Sequence, residues 1–203
     1  MITHDVEQGS SEWTRLRLGI PTVSQFPSII TKSKLQYAAG AKGVVAEIVA
    51  ERILGRPCDW GAEASTVWTE RGTDMERDAW AWYEAWHEVD TEAVGFITTD
   101  GGGVGGSPGR LVLDDDGEPV GGLEIKCRSA KNHMRCVLGM DPTAELLQVQ
   151  GYLWITGLPW WDVLAFNPAL PKRVDRIYPD LEVFRAIETC LDRLAENVAS
   201  YEA

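Results

Sequence analysis

The stretch Gly121–Cys127, GGLEIKC, places Leu123 and Ile125 in alternation with Glu124 and Lys126. Alternation at period two is what a β-strand with two different faces requires. Glu124 and Lys126 then point the same way, a carboxylate and an ammonium side by side. Such a pair serves either as a surface salt bridge or as a holder of a metal ion and a phosphate. The residues of this stretch alone leave both readings open.

Turn and period signals around the stretch extend the strand into a sheet. GRLVL (109–113) is a second strand candidate, and Asp116, Gly117, Glu118 and Pro119 form a turn that would pair the two as a hairpin. AVGFITTD, WWDVLAFNP and RVDRIYP read as further strands. Helical spacing governs other segments. GAKGVVAEIVAERILG sets Val44, Val45, Ile48, Val49 and Ile53 on one face between two glycines. A helix from about Thr73 to Trp86 places Met75, Ala79, Trp82 and Trp86 on one stripe, with Glu76 beside it. TAELLQVQGYLWITG reads as a helix closed by Gly157. Phe184, Ile187, Leu191, Leu194 and Val198 define the last helix. The order of these elements specifies an α/β or α+β fold, a mixed central sheet flanked by helices.

The 203 residues fit one domain over 1–203, long enough to bury a core without staples. Apolar residues make up 44% and charged residues 25%, the mixture of a globular protein, and every apolar run is interrupted by charge before it reaches membrane length. Most of the nine tryptophans are expected in the core. Cys58, Cys127, Cys136 and Cys190 lack metal-ligand spacing, so reduced thiols in a cytoplasmic protein are expected. His4, His87 and His133 are likewise scattered, and no secretion signal opens the chain. A net charge of −12 opposes nucleic-acid binding on average, yet a basic groove can coexist with an acidic exterior.

Three further groups carry chemistry. If the helix bearing Glu76 packs beside the strand of Glu124 and Lys126, two carboxylates and an ammonium converge, a set suited to Mg²⁺ and a phosphate. Arg15 and Arg17 precede a Gly19–Pro21 break, and Ser24 follows it. Guanidinium forks and a hydroxyl suit phosphate oxygens; equally, Trp13, Leu16 and Leu18 can be core with the arginines solvated.

Read in order, EQGSSEWTRLRLGIPTVSQF, ERGTDMERDA, GGSPGRLV, LEIKC and LLQVQGYLWITG resemble the lambda-exonuclease, or YqaJ-type viral recombinase, family of PD-(D/E)XK nucleases, over roughly Asp5 to Gly157. The resemblance implies that Arg17, Ser24 and Ser107 hold the 5′-phosphate of a DNA end. It implies that Glu76 lies close to the metals, that Glu124 and the Ile125 carbonyl bind metal, and that Lys126 is the catalytic lysine with Gln148 beside it. Mg²⁺, or Mn²⁺ in its place, is the implied cofactor. The implied substrate is linear double-stranded DNA, degraded from 5′ to 3′ by a ring-shaped homotrimer. The implied setting is the cytoplasm of a bacterial host, for a phage- or prophage-encoded protein working with a single-strand annealing partner and no membrane. In a ring, Arg15, Arg17, Lys32 and Lys34 would face the lumen.

One position departs from the family pattern. SPGRL stands where the family has Ser-Pro-Asp, so Gly109 occupies the place of the aspartate that bridges two metals. Asp114 does not replace it: along a strand it lies about 16 Å away, on the opposite face. The departure fits an engineered inactive form, a natural variant holding Mg²⁺ weakly, or a DNA-end-binding protein that no longer cuts. A restriction-type endonuclease remains a further alternative, since ExK strands recur across that superfamily.

Overall fold

A computed structural model describes residues 1–58, 66–140 and 146–202, with the backbone alone for 66–74. The hairpin forms at the expected place. Strand β5 (Arg110–Leu113) pairs antiparallel with β6 (Pro119–Lys126), Arg110 opposite Leu123 and Val112 opposite Gly121. Gly117 takes the positive φ of 83° that the turn demands. The Asp114 carboxylate closes that turn by accepting the Asp116 and Glu118 amides at 3.0 and 2.9 Å.

β6 is the middle strand of a five-stranded sheet, ordered β2–β5–β6–β7–β8. β2 (Asp90–Ala93) borders β5, β7 (Trp161–Ala165) runs parallel to β6, and β8 (Arg173–Ile177) closes the far edge antiparallel. A parallel neighbour needs a crossover, and the helices α5 (Ala130–Val137) and α6 (Leu146–Thr156) lie within it. The sheet is mixed and flanked by helices, as the pattern predicts. A second, antiparallel sheet joins β3 (Phe96–Thr98), a strand expected within AVGFITTD, to β1 (Ile2–His4) and β4 (Gly105–Gly106), which were not foreseen because two or three residues are too few to show a period.

The N-terminal part contributes α1 (Ser11–Arg17), a 3-10 turn at Val23–Gln25 and the short α2 (Phe26–Ile29). α3 (Ala41–Leu54) and α7 (Leu181–Glu202) pack together through Val44, Val45 and Ile48 on one side and Ile187, Leu191, Leu194 and Val198 on the other. Ile53, expected on the buried stripe of α3, is 75% exposed. It lies in the last turn, and the packed face ends at Ile48.

α4 (Thr66–His87) lies over β6 with its axis turned from the expected stripe. Ala79 and Tyr83 are buried, whereas Trp86 is 70% exposed and stacks on Trp82 at 5.6 Å. The rotation follows from a polar anchor. The Tyr83 hydroxyl donates to Asp162 on β7 at 2.6 Å, and Arg176 on β8 grips the same carboxylate through two bonds of 2.8 and 2.9 Å. Among the described tryptophans Trp161 is fully buried and Trp80, Trp82, Trp154 and Trp160 are half-buried against the core, while Trp86 is exposed. Several of the others cover guanidinium groups: Arg17 lies over Trp13, Arg110 over Trp80 and Arg176 over Trp160. No helix among the described residues is long and apolar enough to cross a membrane.

Candidate active site

The C-terminal half of β6 forms the floor of a pocket of about 240 Å³. Pleating turns Leu123 into the core beneath α4 and turns Glu124 toward the pocket. Glu124 is 7% exposed, and its Oε1 accepts the Lys126 ammonium at 2.6 Å. The two charges lie on one face, as alternation requires. The salt bridge is no solvated surface pair, because the carboxylate side is enclosed.

α6 supplies the opposite wall. Gln148 and Tyr152, one helical turn apart, face the floor together. Gln148 accepts from Lys126 at 3.2 Å through Oε1 and donates through Nε2 to Glu124 at 3.3 Å and to the Tyr152 hydroxyl at 3.2 Å. Tyr152 in turn donates to the Ser107 carbonyl at 2.8 Å. Burial, then the Glu124 charge, holds the Tyr152 hydroxyl far above its ordinary pKa, so the phenol keeps its proton. A continuous chain of hydrogen bonds therefore joins Lys126 to the Ser107 backbone. Gln150, the second glutamine of the QVQ run, points elsewhere and ties α6 to the backbone at Tyr178 and Asp180.

α1 and the turn after it complete the mouth. Arg17, from the last turn of α1, stacks on Trp13 with 4.4 Å to the ring centroid and leaves its N–H fork open to the pocket. Ser24 is exposed at the rim, its hydroxyl 3.1 Å from that of buried Thr22. Ser107 lies in the wall, but its hydroxyl is engaged: it donates to the Gly95 carbonyl at 2.8 Å and accepts from the Trp13 indole at 2.7 Å. In this arrangement Ser107 positions Trp13, and through it Arg17. Reaching a phosphate as a donor requires release from Gly95.

Glu76, on α4, borders the same pocket from its open side. Partial enclosure by protein pushes its carboxyl above the ordinary value, and the Lys126 charge pulls it partly back. The structure thus brings Arg17, Ser24, Glu76, Ser107, Gly109, Glu124, Ile125 and Gln148 around one cavity, with Lys126 bonded to two of them. The sequence reading missed Trp13, Thr22 and Tyr152. The spacings Trp13–Arg17 and Gln148–Tyr152 were the available signals, each one helical turn.

Continuing the β5–β6 register by one pair sets Gly109 opposite Glu124. No side chain fits there without movement: a Cβ on Gly109 would stand 2.7 Å from the Leu123 carbonyl oxygen. Asp114 sits at the far turn, occupied with the backbone. Among the described residues no group of three or more His, Cys, Asp or Glu could hold a metal. Two carboxylates, Glu124 and Glu76, lining the pocket with Ile125, fit one hard cation that keeps its waters. They do not fit a pair of cations, which needs the bridging carboxylate.

This fold and pocket define a class, the PD-(D/E)XK nuclease-like proteins. The YqaJ-like viral recombinase domain matches residues 12–159, and the chain belongs to that family. The structure is similar to an alkaline exonuclease, LHK-Exo, from Laribacter hongkongensis, with a TM-score of 0.79 and 28% identity over 95% of this chain and 94% of that one. The same enzyme in complex with dAMP gives a TM-score of 0.80 at 28% identity and the same coverage. A phage-related exonuclease from Haemophilus somnus 129PT shares the fold, with a TM-score of 0.68 at 14% identity over 93% of this chain and 97% of that one. No curated protein is matched by the sequence. Family and neighbours support a phage-type exonuclease acting on DNA.

Proposed function

We propose that the chain is a 5′→3′ exonuclease for linear double-stranded DNA with 5′-phosphorylated ends, working with one divalent cation in place of two. The observation that carries this reading is the convergence of Glu124, Lys126 and Gln148 with the Arg17 guanidinium in one pocket. An exonuclease needs both halves, a cutting centre and a fixed anion holder for the chain end. The related alkaline exonuclease forms a complex with dAMP, a nucleoside monophosphate, which supports nucleotide binding by this chain as well.

Arg17 takes the terminal phosphate through its fork, held in place by stacking on Trp13, with the Ser24 hydroxyl as a second donor at the rim. Glu124 and Glu76 would hold Mg²⁺ or Mn²⁺, with the Ile125 carbonyl as a further oxygen. When bound, the cation supplies an acidified water and charge compensation at the phosphoryl group. Lys126 presents an ammonium to the charge that grows on the transferring phosphate, and Gln148 fixes its direction by accepting a hydrogen bond from it. The missing carboxylate at Gly109 makes cation binding weak and turnover slow. The same proposal includes a homotrimeric ring around the duplex and a single-strand annealing partner.

Gly109 favours a second reading, a noncatalytic protein that holds DNA ends. The deciding experiment is digestion of a 5′-phosphorylated linear duplex with Mg²⁺ or Mn²⁺, beside the same duplex with 5′-hydroxyl ends. Slow digestion that prefers the phosphorylated end, requires millimolar cation and disappears in Lys126→Gln is the expected result. Binding that discriminates the two ends without any digestion establishes the second reading.

A further inference from the structure

The protein carries a net charge of −12, yet no Asp or Glu occurs between Ile125 and Met140. That segment leads directly out of the pocket floor and contains Lys126, Arg128, Lys131 and Arg135. β6 ends at Lys126, and α5 starts at Ala130. Five residues of chain cannot carry Lys131 more than about 18 Å from Lys126. α5 also leaves β6 at its C-terminal end, the edge of the sheet at which Gly109 and Glu124 face one another.

α5 is held in one orientation. His133, on its inner side, is fully buried and donates from Nε2 to the Pro171 carbonyl at 2.8 Å. Arg173 caps the other end, with Nη1 bonding the carbonyls of Cys136 and Val137 at 3.1 and 3.2 Å. Arg173 is itself paired with Asp175, so that guanidinium is neutralised and structural. With the inner face fixed, Lys131 and Arg135 emerge on the outer face one turn apart. Both are exposed, and neither side chain makes a hydrogen bond or ion pair among the described residues. What sets these two cations apart is their placement, one turn apart on a fixed helix within an acid-free stretch that leads from the pocket floor.

We propose that the outer face of α5, through Lys131 and Arg135, binds the phosphodiester backbone of the DNA strand whose 5′ end lies in the pocket. The inference rests on the exonuclease reading and extends it. Arg17 and Ser24 lie on the α1 side of the pocket and hold the terminal phosphate. α5 lies where the chain leaves the scissile position and takes the phosphates that follow. Between them, Glu124 and Lys126 meet the bond to be cut. Contacts of this kind carry no sequence information, which suits an enzyme that must advance along any sequence. The surrounding negative charge confines the strand to that path.

The test is equilibrium binding of 5′-phosphorylated and 5′-hydroxyl linear duplexes, with Ca²⁺ in place of Mg²⁺ to suppress digestion, measured across salt concentrations. The full chain is compared with the double variant Lys131→Gln/Arg135→Gln and with a charge-matched control, Lys42→Gln/Arg185→Gln, whose residues are exposed on α3 and α7. Each lost phosphate contact lowers the slope of log K against log salt by about 0.9. The α5 variant is expected to lose about two units of slope and to bind both duplexes about tenfold or more weakly near 0.1 M salt. It retains the preference for the phosphorylated end, which belongs to Arg17. The control pair keeps the original slope and affinity. An α5 variant with an unchanged slope, or a control that loses as much, overturns the proposal while leaving the exonuclease reading standing. Absence of duplex binding by the unmodified chain overturns both.

Discussion

A Cβ placed on Gly109 would stand 2.7 Å from the carbonyl oxygen of Leu123 on the neighbouring strand. The obstacle is backbone, not the tip of a flexible side chain, so β5 and β6 must part before any residue larger than glycine is admitted. Gly109→Asp is therefore more than the return of a ligand. Both Gly109→Ala and Gly109→Asp are expected to lower stability by about 1–3 kcal/mol, the range for overpacking a closed site. Urea unfolding without divalent cation measures this. The decisive comparison is alanine: it carries no charge and binds no metal, so equal losses in the two variants locate the cost in the first side-chain carbon. Added Mg²⁺ is expected to stabilise the aspartate variant more than the alanine variant, because only the aspartate adds a ligand.

Lys126, the proposed stabiliser of phosphoryl charge, is also the counter-charge of the enclosed Glu124 carboxylate at 2.6 Å. Lys126→Gln removes both roles. Turnover is expected to fall by two to three orders of magnitude, about the effect of deleting one group that stabilises transition-state charge. Without cation, the variant unfolds more easily, because the enclosed Glu124 carboxylate loses the ammonium that balances its charge. Cation then stabilises the variant more than the unmodified chain, since it replaces the missing positive charge. Thermal unfolding with and without Mg²⁺ checks the second effect independently of activity.

Tyr152 links Gln148, and through it Lys126 and Glu124, to the backbone at Ser107. Its hydroxyl accepts from Gln148 and donates to the Ser107 carbonyl, two bonds that Tyr152→Phe deletes while keeping the ring stacked on Trp161. The stability loss is expected to be about 1–2 kcal/mol. Turnover falls about tenfold, because Gln148 is released from one of its anchors, while the preference for a phosphorylated end is unchanged. Equal loss on phosphorylated and hydroxyl ends, read as rate at saturating substrate, is the signature of positioning.

The hairpin, β7, β8 and the three long helices were legible because each buries one face and so imposes a period on the sequence, whereas the edge strand β2 was not. Glu124, Lys126, Gln148 and Arg17 were legible only as ordered motifs; no single spacing distinguishes them from a solvated strand or helix. What escaped lies in short or polar elements. β1 and β4 have no room for a period. The turn of α4 that exposes Trp86 is dictated by Asp162, a charged residue inside a buried strand, whose partners Tyr83 and Arg176 come from distant elements. The engagement of the Ser107 hydroxyl with Gly95 and Trp13 depends on two chain crossings that no local pattern records.

Tyr83 and Glu76 are seven residues apart on α4, two turns and so on nearly the same face. The bond from Tyr83 to Asp162 therefore fixes the rotation of the helix that brings Glu76 to the pocket rim. Burial, reinforced by the Asp162 hydrogen bond and charge, raises the pKa of the Tyr83 phenol above its ordinary value. A group with a raised folded-state pKa contributes stability that is complete below its unfolded value, about 10 for tyrosine, and that is lost as pH climbs through the folded value. Tyr83→Phe is expected to lose about 2 kcal/mol at neutral pH, the scale of a hydrogen bond to a charged group. The gap between the two proteins then narrows above pH 10, as the unmodified chain surrenders the same contribution. Urea midpoints at pH 7, 9 and 11 measure it. A gap that stays constant across that range would show that Tyr83 gives up its proton no later in the folded chain than in the unfolded one, and that Asp162 does not retain it.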